Sequence, residues 1–183
     1  MHPSHCRRWT RVTAIKAREV EVREAKYEDL PTVVMINRAV LPENYPFSFF
    51  EFIHKISPRY FLVALVDGKV VGYLMSIIER RGSLMIPDVS LAQRVKAGER
   101  ASHLLSLGVL KEYWGMGVGS ALMREYLRRL EEDGVDFSFL EVRVSNQRAI
   151  RLYSKFGYTV YKVIRAYYLD GEDAYLMVKE LRG

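Results

Sequence analysis

Residues 103–130, HLLSLGVLKEYWGMGVGSALMREYLRRL, decide the fold. His103 to Leu110 is an apolar run of strand length, and such runs are typical of strands buried on both faces. Ser120 to Leu130 has helical spacing, with Ala121, Leu122, Tyr126, Leu127 and Leu130 expected inward and a Glu125–Arg129 pair outside. Between them Gly115, Gly117 and Gly119 alternate. Glycines at a strand-to-helix turn let backbone approach a ligand closely, and the free N–H groups with the helix dipole attract phosphate oxygens. A P-loop would need Gly-Lys-Ser/Thr, which is absent. A dinucleotide fingerprint read from Gly115 meets Ser120 where it needs glycine, and read from Gly117 it meets Leu122. A short pyrophosphate cradle remains, with a plain turn into the helix as the alternative.

Working outward, Glu19 to Glu24 alternates like a half-exposed strand, and Tyr27 to Leu41 reads as an amphipathic helix with Leu30, Val33, Val34 and Ile36 inward. Pro42 and Pro46 make LPENYPF a loop, and Phe49 to Ile56 supplies a second helix. FLVALVDGKVVGYLMSII carries a hairpin signal at Asp67-Gly68. Glu79 to Ser102 is expected to be one long polar connection. Phe137 to Val144 is a strand, Asn146 to Phe156 a helix capped by Ser145 or Asn146, and Tyr158 to Ile164 and Ala174 to Val178 complete the sheet. The order β-α-α-β-β-β-α-β-α-β-β specifies an α/β domain with a mixed central β-sheet flanked by helices.

The 183 residues suffice for one such domain, and a composition of 49% hydrophobic and 27% charged residues is that of a globular protein. No apolar run approaches the roughly 18 residues of a membrane span. One cysteine, Cys6, forms no intrachain disulfide, and the start lacks the apolar stretch of a signal peptide, so a cytoplasmic location is expected. The formal charge of +6 is unevenly placed: Arg7, Arg8, Arg11, Lys16 and Arg18 stand in an acid-free 1–18, while the other 165 residues carry 23 basic and 22 acidic side chains. Residues 1–18 thus read as a basic tail, disordered or able to lie along RNA or a ribosomal surface, ahead of a single domain over 19–183. His2, His5 and Cys6 lack a fourth ligand nearby, and no metal is expected.

YWGMGVGSALM resembles motif A of the GNAT-fold acetyltransferases, which bind acetyl-coenzyme A through Arg/Gln-x-x-Gly-x-Gly/Ala. LPENYPFSFF, HLLSLGVL, LEVRVSNQRAIRLYSKFGY and YYLDGEDAYLMV extend the resemblance over about residues 20 to 180, toward archaeal NatA-type and RimI-type N-terminal acetyltransferases. One departure matters: Trp114 stands at the Arg/Gln position, which removes a side-chain contact to the phosphates and leaves the backbone cradle. The resemblance implies that the pantetheine arm pairs with Leu107, Gly108 and Val109. It places the pyrophosphate on Gly115, Met116, Gly117, Val118, Gly119 and Ser120, Asn146 near the pantetheine and Tyr153 near the sulfur. Positions 146 and 153 share a helix face, so a Tyr153 hydroxyl there is suited to act as general acid toward a departing thiolate.

Acetyl transfer requires a neutral amine. An N-terminal amine has a pKa near 8, so roughly a tenth is neutral at pH 7 and a modest base suffices. Glu141 lies inside FLEVRV, where a carboxylate is disfavoured unless it has a partner or a task; Arg143, two residues on, is the partner to weigh. The resemblance assigns proton removal, through ordered water, to Glu141 and His103. It also puts Leu41, Pro42, Glu43 and Tyr45 at the peptide entrance, with Tyr167 and Tyr168 opposite. The expected function is acetylation of protein N-termini beginning with Ser, Ala or Thr, with Met-starting chains also admitted, by direct attack on the thioester. A same-fold lysine or polyamine acetyltransferase, and a catalytically inactive ribosome- or RNA-binding module, remain as alternatives.

Overall fold

In the computed structural model, residues 18–182 are described, so the tail positions His2, His5, Cys6, Arg7, Arg8, Arg11 and Lys16 lie outside them. One seven-stranded sheet runs through these residues. Its strands are β1 (Val20–Glu24), β2 (Phe61–Val66), β3 (Lys69–Ile78), β4 (Ala101–Val109), β5 (Phe137–Arg143), β6 (Thr159–Ile164) and β7 (Ala174–Glu180). Their spatial order is β1-β2-β3-β4-β5-β7-β6, antiparallel except for β4 beside β5. The helices are α1 (Leu30–Val40), α2 (Phe47–Ile56), α3 (Val89–Ala97), α4 (Val118–Glu132) and α5 (Gln147–Lys155). No helix of the described residues is long and apolar enough to cross a membrane.

Strand β2, FLVALV, is buried along its whole length because both faces are covered. Leu62, Ala64 and Val66 join the core beneath α4, with Leu122, Tyr126 and Leu130; Phe61, Val63 and Leu65 join the core beneath α1 and α2, with Val33, Phe50 and Ile53. Asp67 and Gly68 both adopt left-handed φ (50° and 75°), as the two-residue turn of a tight hairpin requires. Around Tyr27 a single 3₁₀ turn precedes α1, so the first helix begins at Leu30, with Pro31 in its first turn where the missing N–H costs nothing.

The expected connection 79–102 is corrected by α3. Asp88 caps its N-terminus by accepting from the Leu91 N–H (3.0 Å), and Gly98 ends it at φ 115°. Only Leu91 and Val95 are buried on α3, a pair too sparse to stand out in sequence. They cover Ala101, Phe137, Phe139, Leu176 and Val178. The helix prediction 120–130 places Ala121 inward, whereas Ala121 is half-buried and Met123 takes part in the core instead.

One feature of the sheet makes the site. β4 and β5 pair only from Ala101 to His103 with Phe137 to Phe139, while β3 follows β4 as far as Val109. The β3–β4 register slips so that Leu105 has no partner, a bulge that bends β4. Beyond His103 the two parallel strands part. Their facing edges open into a cleft.

Candidate active site

A cavity of about 730 Å³ occupies this cleft. Its floor is β4 from Leu104 to Val109, with Glu141 to Arg143 of β5 opposite. Beyond His103, no strand of the described residues pairs with the β5-facing edge of β4, so its backbone amide groups, apart from the Val109 carbonyl that accepts from Trp114, are free to pair with an extended ligand. Gly108 has to be glycine, since a Cβ there would stand 2.8 Å from the Tyr73 ring.

At one end the glycine loop turns into α4. Gly117 is in the left-handed region (φ 81°), and the first helical hydrogen bond is donated by Ala121 N–H to the Gly117 carbonyl (2.9 Å). The N–H groups of Val118, Gly119 and Ser120 precede that bond and have no helical acceptor. They form a ready anion site at the positive end of a 15-residue helix. Gly115, Gly117, Val118, Gly119 and Ser120 line the cavity; Met116 does not. It sits between two left-handed glycines, and its side chain is exposed. The lining here is basic: Arg148, Arg151 and Lys155 of α5 stand three and four residues apart, on one helix face.

At the middle, the Asn146 side chain caps α5 by accepting from Ala149 N–H (3.1 Å), leaving its amide N–H₂ for the cavity. Tyr153 lines the cavity, and its hydroxyl has no hydrogen-bond partner among the described residues. Burial raises the Tyr153 phenol well above the usual range, so it stays protonated and can only donate a proton or share one.

At the other end Glu141 is held in a buried chain of three groups. His103 Nε2 donates to Glu141 Oε2 (2.7 Å), and His103 Nδ1 donates to Glu79 Oε1 (2.9 Å). Glu79 lies two residues beyond Ile77 and Glu141 two beyond Phe139, the cross-strand neighbours of His103, so a period of two puts all three on one sheet face. The imidazole is stacked on Phe139 at 4.4 Å between centroids. Burial lowers its pKa, but the charge and hydrogen bond of Glu141, joined by those of Glu79, outweigh that and push it up to about 9. It is therefore an imidazolium with both N–H groups engaged. Glu141 Oε1 is buried with no partner, at a carboxylate that lines the cavity.

Arg143, weighed as the partner of Glu141, is committed elsewhere. It contacts Glu43 (2.6 Å), Asp170 (2.7 Å) and Glu172 (3.0 Å), and its guanidinium lies 4.1 Å above the Tyr168 ring. The entrance loop 41–45 and the β6–β7 loop are thereby fastened to β5. Leu41, Pro42, Glu43, Tyr45, Tyr167 and Tyr168 all line this end of the cavity. Burial, with the carboxylates of Glu43 and Glu141, raises the three tyrosine phenols, so they present hydroxyl donors at neutral pH.

The cavity thus joins a glycine turn with free N–H groups, a free strand edge and an unpartnered carboxylate. Residues 23–158 match the acetyltransferase (GNAT) family. The chain belongs to this family. It is an acetyltransferase that depends on acetyl-coenzyme A, and its residues fit that cosubstrate: an open cradle for the pyrophosphate and an unpaired strand edge for the amides of the pantetheine. Over its whole domain the chain is similar to an N-alpha-acetyltransferase of Sulfurisphaera tokodaii, 43% identical over 92% of this chain and 97% of that one. It is 40% identical to an N-alpha-acetyltransferase of Saccharolobus solfataricus, over 91% and 96% of the two chains. Among solved structures it is similar to Ard1 from Thermoplasma volcanium, with a TM-score of 0.75 and 29% identity over 88% of this chain and 97% of that one.

Sequence reasoning missed three groups of this GNAT site. Glu79 ends an apolar strand much as Glu141 interrupts one, and that parallel was legible in the sequence. Arg148, Arg151 and Lys155 share one helix face with each other, across α5 from Tyr153, and that spacing was also legible. Arg143 was seen only as a neighbour of Glu141. The free edge of β4 had no signal in composition or spacing and came only through the resemblance, which has the pantetheine arm pair with Leu107, Gly108 and Val109.

Proposed function

We propose that this enzyme acetylates the α-amine of protein N-termini, preferring Ser, Ala or Thr as first residue, and that Glu141 accepts the amine proton. The observation that carries this reading is Glu141 Oε1, a buried carboxylate oxygen without a partner on a residue that lines the cleft. A buried acceptor left empty is costly, so the site calls for a donor from the substrate amine or from a water it holds. Acetyl-coenzyme A supplies a thioester, activated for attack by an amine and releasing a thiolate.

His103 acts through Glu141. With both nitrogens donating it has no lone pair for a proton; its hydrogen bond to Oε2 fixes the carboxylate and leaves Oε1 without a partner. Glu79 holds the far side of the ring. As the new C–N bond forms and the C–S bond breaks, the amine proton passes to Glu141, through one water. The Tyr153 hydroxyl donates a hydrogen bond to the sulfur as charge develops there. The walls made by Tyr45, Tyr167 and Tyr168, fastened by Arg143 and Glu43, suit an extended peptide end of small first residue better than a long lysine stem. The names of the Sulfurisphaera and Saccharolobus relatives support the same amine.

The test is acetyl transfer to a Ser-starting peptide beside the same peptide with a blocked N-terminus and an internal lysine. Transfer to the free N-terminus alone is expected. Transfer to the lysine of the blocked peptide instead would overturn the substrate class.

A further inference from the structure

Trp114 stands where the motif has Arg or Gln, and its indole is turned to the protein rather than to a phosphate: Nε1 donates to the Val109 carbonyl at the end of β4 (2.8 Å). Its ring is covered instead. The Arg148 guanidinium lies 4.1 Å above the Trp114 ring centroid, and both residues line the cavity next to the glycine turn.

Arg148 has no salt bridge and no hydrogen bond among the described residues, unlike Arg143, Arg94 or Arg129, each of which is paired with carboxylates. A guanidinium stacked on an aromatic face keeps its N–H edge outward and gives up little freedom when it binds an oxyanion. α5 contains no acid, and the two carboxylates of the cavity lining, Glu43 and Glu141, both belong to its opposite end. We propose that Arg148, carried on Trp114, supplies the phosphate contact that the motif position no longer makes. Trp114 and Arg148 form a two-residue replacement for one motif side chain. The charge comes from α5 and its placement comes from the loop. The ligand chemistry is a phosphate of coenzyme A, either the pyrophosphate on the turn or the 3′-phosphate of the nucleotide. This rests on acetyl-coenzyme A as cosubstrate.

Isothermal titration calorimetry of coenzyme A and of 3′-dephospho-coenzyme A tests it, on the full chain. The wild-type chain is expected to bind coenzyme A; failure there would sink the cosubstrate itself. Arg148→Ala is expected to raise the coenzyme A Kd by about tenfold or more, the effect of one charge-assisted contact, whereas Arg124→Ala, an equal charge change on the exposed side of α4, leaves it unchanged. A loss seen with both ligands assigns the contact to the pyrophosphate; a loss confined to coenzyme A assigns it to the 3′-phosphate. Trp114→Arg in the Arg148→Ala background is expected to restore affinity by putting a cation back at the motif position. Arg148→Ala with both affinities unchanged, or equal losses in Arg148→Ala and Arg124→Ala, would overturn the proposal.

Discussion

At the cradle end of the cavity the chain presents backbone N–H groups and three cations, Arg148, Arg151 and Lys155, none with an ionic partner among the described residues; at the other end it presents carboxylates, tyrosine hydroxyls and an arginine saturated by three acids. The N–H cradle of that first end is built locally, with the cations added from α5. A strand end, a glycine turn and the first turn of α4 follow one another in sequence, and the N–H groups converge because the chain turns there. The amine end is assembled from β3, β4, β5 and two loops, and its charges are set by one another. The contrast teaches that an anion site needs little more than one well-placed turn, whereas a proton acceptor needs a buried neighbourhood to orient it. The two ends should therefore fail separately.

The largest expected effect is on the amine end. Glu141→Gln keeps the shape and the hydrogen bond from His103 but removes the acceptor, and turnover is expected to fall by about 10²- to 10⁴-fold with the coenzyme A Kd unchanged by calorimetry. A matching loss of coenzyme binding would break the separation. His103→Ala comes next, because it strands Glu79 and Glu141 as buried carboxylates without their cation. We expect a loss of about 3–5 kcal/mol in chemical denaturation, the cost of an uncompensated buried charge, together with lowered turnover.

The same group carries a pH signature. The folded-state pKa of His103 lies above its ordinary 6.5, at about 9. Its contribution to stability is then complete below about pH 6.5 and is lost as pH rises toward 9. Denaturation curves across that window should flatten in His103→Ala, and a slope unchanged from wild type would remove the imidazolium from the account.

At the cradle end, Gly117→Ala forces a side chain into left-handed backbone at φ 81°, costing about 1–2 kcal/mol. The coenzyme A Kd is expected to rise by about tenfold, with turnover at saturating coenzyme nearly normal. The smallest effect is expected from Arg143→Met, which releases both entrance loops: the peptide KM should rise a few-fold and first-residue preference should broaden in a peptide panel. An unchanged panel would mean that the loops hold their shape without the clasp.

The sequence by itself determined the order of elements except α3, the hairpin at Asp67-Gly68, the glycine turn and the cap at Asn146. These are legible because each depends on nearest neighbours: alternation on a strand, spacing on a helix, positive φ at a glycine, or short motifs such as LEVRVSN. The weak helix α3 escaped because two buried residues in nine give too little periodicity. Only the tertiary structure decided that β4 and β5 part after three residue pairs, that Arg143 reaches Glu43 and the β6–β7 loop rather than Glu141, and that Glu79 completes the chain behind His103. Each of these joins residues from separate strands or loops. The charge of His103 follows the same rule: no property of position 103 makes it an imidazolium, only two carboxylates brought to its two nitrogens and sealed from water by the packing around them.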